Sequence, residues 1–280
     1  MVQRLIGSLA VRLFGLAARL GIHRLPILEP TVLKLYAIYK RYFEAGPIER
    51  LQEFVPAGSL VIDVGANVGF FSLRFAKWVG DNGKVISIEP EDRNYDSLIS
   101  ALKRAGLFDR VDALKAVAAA APGKVFLEIN PLHPADHKLS RDGTGLPVTA
   151  VTLDGLVHDK GPLTPALVKI DVQGAEMLVL KGAAGILRTA EPALFIELHE
   201  EGLRRFGTSV SAILNHLSEA GYEAYWLMRT GTHEKASPAE IHRKVAKIGY
   251  VDVLFLKAAA PGAAAAPAFA SSASLNARGQ

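Results

Sequence analysis

The sequence predicts an α/β protein built on a doubly wound, mostly parallel sheet, and three observations predict it. Short apolar runs alternate with segments of helical periodicity through the middle of the chain. One run, Leu60 to Val64, feeds into the turn Gly65-Ala66-Asn67-Val68-Gly69 and then into a helix. Another ends in Ile88-Glu89-Pro90, about one strand–helix–strand repeat further on. Strands that alternate with helices lie in a parallel sheet covered on both faces, so they read as continuous apolar runs.

The elements follow in order. Leu60 to Val64 reads as a buried strand, Phe70 to Val79 as a helix, Val85 to Ile88 as a strand and Asp92 to Ala105 as a helix. Val111 to Lys115 is a third strand. Val125 to Ile129 and Val148 to Val151 read as a hairpin-like insertion, with a polar loop bearing His and Pro between them. Leu167 to Ile170 and Leu194 to Leu198 are short buried strands with a helix between. Val210 to Ala220 is helical, and Tyr222 to Leu227 and Val251 to Leu256 are strands that suit an antiparallel edge. Before this core, residues 31–55 read as helix, broken near Gly46-Pro47 and ended by Pro56-Ala57-Gly58. After Lys257 the Ala- and Pro-rich tail lacks core-forming periodicity and is expected to be disordered. The division is a helical extension over 1–56, a core domain over 57–257 and a tail over 258–280.

Half of the 280 residues are hydrophobic, enough for a packed core. With no cysteine in the chain, a disulfide scaffold, a thiolate metal site and a cysteine nucleophile are excluded; a cytoplasmic location fits. The net charge of +4 is too mild to mark a nucleic-acid binder. The first 24 residues carry Arg4, Arg12, Arg19 and Arg24 and no acidic residue. Leu5, Ile6, Leu9, Leu13, Leu16 and Leu20 recur there at helical spacing. Such a helix packs on protein or lies on an anionic membrane surface as a peripheral contact. No apolar run reaches the roughly 20 residues that span a bilayer, and arginines interrupt the pattern of a cleaved signal peptide.

The turn after the first strand carries the ligand chemistry. Glycines at 65 and 69 permit positive φ and close backbone approach, and the crevice above such strand ends is where nucleotide-type ligands sit in doubly wound sheets. The spacing is neither Gly-x-Gly-x-x-Gly nor a Walker loop. Asp63, which closes the strand, is set to hold the loop's amides or a cationic amine; a carboxylate there disfavours a pyrophosphate and suits a ligand with an ammonium and a sulfonium. Glu89, at the tip of the second strand, is placed to accept hydrogen bonds from ribose hydroxyls, and Pro90 turns the chain away. The candidate cofactor-binding set is Asp63, Gly65, Asn67, Gly69, Phe70, Glu89 and Pro90. His133 and His137 are four apart, but Pro131 and Pro134 argue against a helix that would pair them on a metal, and no metal site is expected.

From about Gly58 to Phe206 the chain resembles the FkbM family of methyltransferases. The resemblance rests on VIDVGANVGFFS at 61, IEP at 88, VTLD at 151, KIDVQGAE at 169 and PALFIELH at 192. It implies a class I methyltransferase, Rossmann-like, with a seven-stranded sheet and S-adenosyl-L-methionine as cofactor. It further implies methyl transfer to a hydroxyl oxygen of a sugar, a glycolipid or a natural product. The family commonly has Asp-Val-Glu-Gly-x-Glu where this chain has Gln173. Asp136-His137-Lys138 resembles a polar patch of some family members, either a lid over the site or a solvated loop.

A hydroxyl acceptor must lose a proton, so a base near the methyl group is expected. Asp171, which ends the fourth parallel strand, is the first candidate. Glu197 and His199 alternate on the next strand, face one side and are its candidate partners; His199 is the one that titrates near neutrality. Glu176 either joins the site or caps the helix that starts near Gly174. A non-catalytic scaffold on the same fold is the rival reading. A nucleic-acid methyltransferase is less favoured, because Asp171-Val172-Gln173-Gly174 is not an Asn/Asp-Pro-Pro-Tyr/Phe signature. Acceptor choice is expected to lie in the N-terminal helices and in segments 130–147 and 228–248.

Overall fold

The computed structural model describes residues 45–128, 138–140, 142–158 and 163–258. The chain divides into two compact units, residues 1–51 with 227–233 and residues 52–226 with 234–280. In the first unit, helix α1 (Ala45–Ile48) runs through Gly46 and Pro47 and passes into a 3-10 turn. The α-helical geometry gives way to the 3-10 turn at Glu49, two residues after Pro47. Arg50 Nη1 donates to the carbonyls of Met228, at 3.3 Å, and Gly231, at 2.6 Å. The arginine-bearing N-terminal helix, Asp136, His137 and the Ala-rich tail lie outside the described residues.

In the second unit the expected α/β sheet is present. Strand β1 (Leu60–Val64) leads to α2 (Phe70–Trp78), β2 (Lys84–Ile88), α3 (Asp92–Arg104) and β3 (Val111–Leu114). Four strands then form a sheet of their own: β4 (Val117–Ala118), β5 (Gly123–Glu128), β6 (Lys138–Leu139) and β7 (Leu146–Val151), in the order β4-β7-β5-β6. The expected hairpin is its β5–β7 pair. Next come α4 (Leu153–His158), β8 (Pro165–Ile170), α5 (Glu176–Lys181), α6 (Ala184–Thr189) and β9 (Ala193–His199). The unit ends with α7 (Glu200–Arg205), α8 (Val210–Glu219), β10 (Tyr222–Trp226), β11 (Glu234–Lys235), α9 (Pro238–Ile248) and β12 (Tyr250–Lys257).

The main sheet runs β11-β10-β12-β9-β8-β1-β2-β3. The pairs from β9 to β3 are parallel, and β12, β10 and β11 add an antiparallel edge. Seven strands were expected; the eighth is the two-residue β11. The strand order reverses at β1, which has β2 on one side and β8 on the other. The crevice above the ends of β1 and β8 is therefore the ligand position of this topology.

Both faces of the sheet are covered. Ile62, Ile86, Val168 and Ile196 pack with Val179, Leu203 and Ile213 in one core. The register places Ser87, Asp63, Lys169 and Phe195 in a row across four strands, and Phe71 of α2 packs on Phe195 with ring centroids 6.1 Å apart.

One helix was expected between β8 and β9, and the structure has two. The chain bends at Gly182, where a Cβ would lie 2.1 Å from the Ala119 carbonyl oxygen. Asp154 then holds the start of α6, accepting from the amides of Gly185 and Ile186 at 2.8 Å each. Helix α9 was not anticipated in the segment 228–248. Its signal is Ser237-Pro238-Ala239-Glu240, a capping box with proline in the first turn.

Candidate active site

The Gly65 turn has the backbone its glycines predict, with φ of 76° at Gly65, 50° at Asn67 and 94° at Gly69. The amides of Gly65 and Ala66 both donate to the Ile88 carbonyl at 3.0 Å, which fastens the turn to the tip of β2. What approaches the glycines closely is the protein itself. A Cβ on Gly65 would lie 1.9 Å from the Asp171 carbonyl oxygen, and one on Gly69 would lie 2.8 Å from Leu98 Cδ1. Gly69 caps α2 without a side-chain hydrogen bond, so among the described residues no side chain takes up the amides of the first turn. Phe70, half-buried, stacks under the Arg74 guanidinium at 3.9 Å.

Glu89, at the tip of β2, lies beside this turn. Its Oε2 accepts from the Asn67 amide at 2.8 Å. Its Oε1 accepts from the Glu91 amide at 3.1 Å and more weakly from Asn94 Nδ2 at 3.5 Å. Burial raises its pKa, against the pull of those hydrogen bonds and of Lys169. A carboxylate offers about four lone-pair sites, and among the described residues three of those of Glu89 are taken. Pro90 is half-buried between Glu89 and Glu91, whose side chain caps α3 at the Asn94 amide.

The reading of Asp63 as a ligand carboxylate changes. It is fully buried beneath α2; its Oδ2 accepts from Ser72 Oγ at 2.6 Å, and Ser87 Oγ donates to Ser72 Oγ. The amine it holds is the protein's own, since its Oδ1 lies 3.4 Å from Lys169 Nζ. The reason is register: Asp63 pairs with Lys169 and Ser87, on the face that α2 covers.

Lys169, which the sequence reading missed, is the hub beneath the turn. Its ammonium donates to the carbonyls of Gly65 at 2.7 Å and Val64 at 3.3 Å, and lies 3.7 Å from Asp171 Oδ2. Burial alone would lower its pKa, but Asp63, Asp171 and Glu197 outweigh that and raise it. The available signal was a lone lysine inside an apolar strand, which has to find a partner.

Asp171 follows β8, and its amide donates to the Val64 carbonyl at 3.1 Å, so the expected base is fixed directly to the end of β1. Its side chain keeps 31% exposure. Glu197 is beside it. Gln173 Nε2 donates to Asp171 Oδ1 at 3.2 Å and to Glu197 Oε1 at 3.1 Å. Burial first, then Asp171 and Asp252, push the Glu197 carboxyl well above the usual carboxylate range. His199 ends the same strand, but its ring makes no hydrogen bond to Asp171 or Glu197 among the described residues; Nδ1 packs against Gly202. Glu176 acts as a clamp. Its Oε1 accepts from the amides of Val172 at 3.3 Å and Gly174 at 3.0 Å, and burial pushes it up to about 7.

A groove of about 470 Å³ opens between α5 and α8, walled by Met177, Lys181, Phe206 and His216. Gly174 joins it to the Asp171–Glu176 turn, whereas the Gly65 turn and Glu89 do not line it. Among the described residues, no helix is long and apolar enough to cross a membrane.

Comparison with known proteins gives three levels of likeness. The methyltransferase FkbM domain model matches residues 63–224. The hexuronic acid methyltransferase AglP of Haloferax volcanii is 27% identical over 157 residues, covering 56% of this chain and 62% of that protein. The chain thus spans less than two thirds of that relative's length. A crystal structure of methyltransferase FkbM from Methylobacillus flagellatus is 17% identical, covers 80% of this chain and 54% of that one, and superposes with a TM-score of 0.45. The O-methyltransferase TomG from Streptomyces achromogenes, solved in complex with S-adenosylmethionine, is 14% identical with a TM-score of 0.42 over 77% of this chain and 80% of that one.

Proposed function

The chain belongs to the FkbM methyltransferase family, and from that premise we propose that it transfers a methyl group from S-adenosyl-L-methionine to an oxygen of a sugar-type acceptor. The observation that carries this reading is the fixed contact between Asp171 and the Gly65 turn. The candidate base and the candidate cofactor turn are joined by the Asp171 amide on the Val64 carbonyl and by Lys169 spanning both. A methyl transfer needs this arrangement, because alignment of acceptor, methyl group and base supplies much of the rate.

When bound, the cofactor supplies an electrophilic methyl group on a sulfonium. The remaining lone pair of Glu89 accepts from a ribose hydroxyl, and the start of α2 offers amides that no side chain caps among the described residues. Asp171, partly exposed at the crevice, receives the proton that the acceptor hydroxyl loses. The Lys169 ammonium lies 3.7 Å from Asp171 Oδ2 and restrains that carboxylate beside the turn. Burial and its carboxylate neighbours favour the protonated form of Glu197, which makes it the weaker candidate for the base. The sugar class is supported by the AglP relative and by a site that offers a base for a neutral hydroxyl.

Two measurements test the proposal. Incubation with tritiated S-adenosyl-L-methionine and cell extract is expected to label a saccharide-bearing fraction; label confined to protein or nucleic acid would sink the sugar reading. Glu89→Ala is expected to weaken cofactor binding by calorimetry by at least about tenfold, the loss of a hydrogen bond to a charged group. Unchanged affinity removes Glu89 from the ribose role.

A further inference from the structure

We infer that Gln173 is a positioning residue: the two N–H groups of its side-chain amide hold Asp171 and Glu197 as a pair and aim the Asp171 carboxylate at the acceptor oxygen. The inference rests on the methyl-transfer reading above. Strands β8 and β9 are in register through Ile170 and Ile196, and β12 sets Asp252 opposite Glu197. Asp171, Glu197 and Asp252 therefore form a row of carboxylates on three neighbouring strands. Like charges so close resist joint ionisation, and a neutral group with two donors is what the first two members need between them. Gln173 Nε2 meets that need, at 3.2 Å from one and 3.1 Å from the other.

The charged groups around the pair come from every packed element: Lys169 on β8, Glu176 on α5 and Asp252 on β12 all act on Glu197, and His199 follows it on β9. Lys169 and Gln173 take different oxygens of Asp171, Oδ2 and Oδ1. A hydrogen bond on one oxygen and a cation 3.7 Å from the other restrain the carboxylate more than either does alone.

The backbone gives a second, independent sign. Gln173 sits at φ 55°, a region that side chains other than Gly, Asn and Asp rarely enter. The turn is over-determined around it. Glu176 holds the amides on either side, and a Cβ on Gly174 would lie 2.3 Å from the Gly202 backbone. Strain kept in place by its surroundings clusters at functional sites.

The test uses Gln173→Met, which keeps the bulk and removes both N–H groups, and Gln173→Glu, which replaces the donor by a third carboxylate. With p-nitrophenyl β-D-glucuronide as acceptor, Gln173→Met is expected to lower kcat by about tenfold or more while KM and cofactor affinity stay within about twofold. Gln173→Glu is expected to move the acid limb of kcat/KM to higher pH by about one unit, because an added anion makes Asp171 harder to ionise. A purely structural role would lower the melting temperature and leave that limb in place. Wild-type kcat and an unmoved limb in both variants overturn the inference.

The full-length wild-type protein supplies a readout without turnover. The two side-chain N–H resonances of Gln173, assigned by their loss in Gln173→Met, are expected to shift together as Glu197 loses its proton at raised pH. Flat, freely exchanging resonances overturn the inference. If the wild-type protein does not methylate this glucuronide, these resonances alone decide the role of Gln173, and the extract labelling decides the sugar reading separately.

Discussion

Asp171→Asn is expected to lower kcat by roughly 10²- to 10⁴-fold, the usual worth of a general base, with S-adenosyl-L-methionine affinity unchanged within a few-fold. Asparagine keeps the shape and the main-chain contacts to Val64 and Gly65, so the cofactor turn is undisturbed and the loss reports on the proton. The same variant reads the acceptor. A sugar hydroxyl must be deprotonated as the methyl group moves, whereas a hexuronate carboxylate is already an anion and needs no base. A carboxylate acceptor would also be repelled by Asp171 and is expected to react as well or better with Asn at this position. Loss of kcat thus identifies a hydroxyl acceptor, and retained or increased kcat overturns Asp171 as the base. A pH profile of the wild-type enzyme adds a check. With Glu197 held toward its protonated form by burial and its carboxylate neighbours, a rate that depends on one base is expected to rise with pH through a single limb, and Asp171→Asn to abolish that limb.

The parts of this site that were legible in the sequence are those set by local rules. The alternation of Glu197 and His199 on one strand, the positive φ of the Gly65 turn and the place of Glu89 at a strand tip each follow from a few adjacent residues. What was not legible depends on register between distant strands. Asp63 and Lys169 are 106 positions apart and meet only because β1 pairs with β8, so a carboxylate read as a ligand for a foreign amine turns out to hold the protein's own. The same contact explains why Gly65 has to be glycine: the Asp171 carbonyl occupies the space of its side chain. Likewise the partner of Asp171 is Gln173, two residues along, rather than His199, because a left-handed backbone turns that side chain back over the pair. Helix α9 was missed for a different reason. Its apolar stripe is thin, with only Ile241 and Val245 buried, so its cap carried the signal and its periodicity did not.

Lys169→Met is expected to be the most destabilising single change in the site. The lysine and Asp63 are both buried, at 3% and 0% exposure, and their ion pair has no water to fall back on. Removing one member of such a pair leaves the other charge uncompensated and costs about 3–5 kcal/mol, which for a domain of this size lowers the melting temperature by about 6–20 °C. Asp63→Asn placed on the same background is expected to recover much of the loss. Asparagine can still accept from Ser72, and the methionine fills the lysine's space without leaving a charge beneath α2. Recovery by the second substitution distinguishes an electrostatic cause from a packing defect, which Asp63→Asn does not repair. The double variant is also expected to remain slow in catalysis, because Asp171 has lost its neighbouring cation and the Gly65 carbonyl its donor. A melting temperature within about 2 °C of wild type in Lys169→Met would show that the buried pair contributes little, and full activity in the double variant would detach Lys169 from Asp171. With stability restored and catalysis still impaired, the lysine is both a structural counter-ion beneath α2 and the link from the cofactor turn to the base.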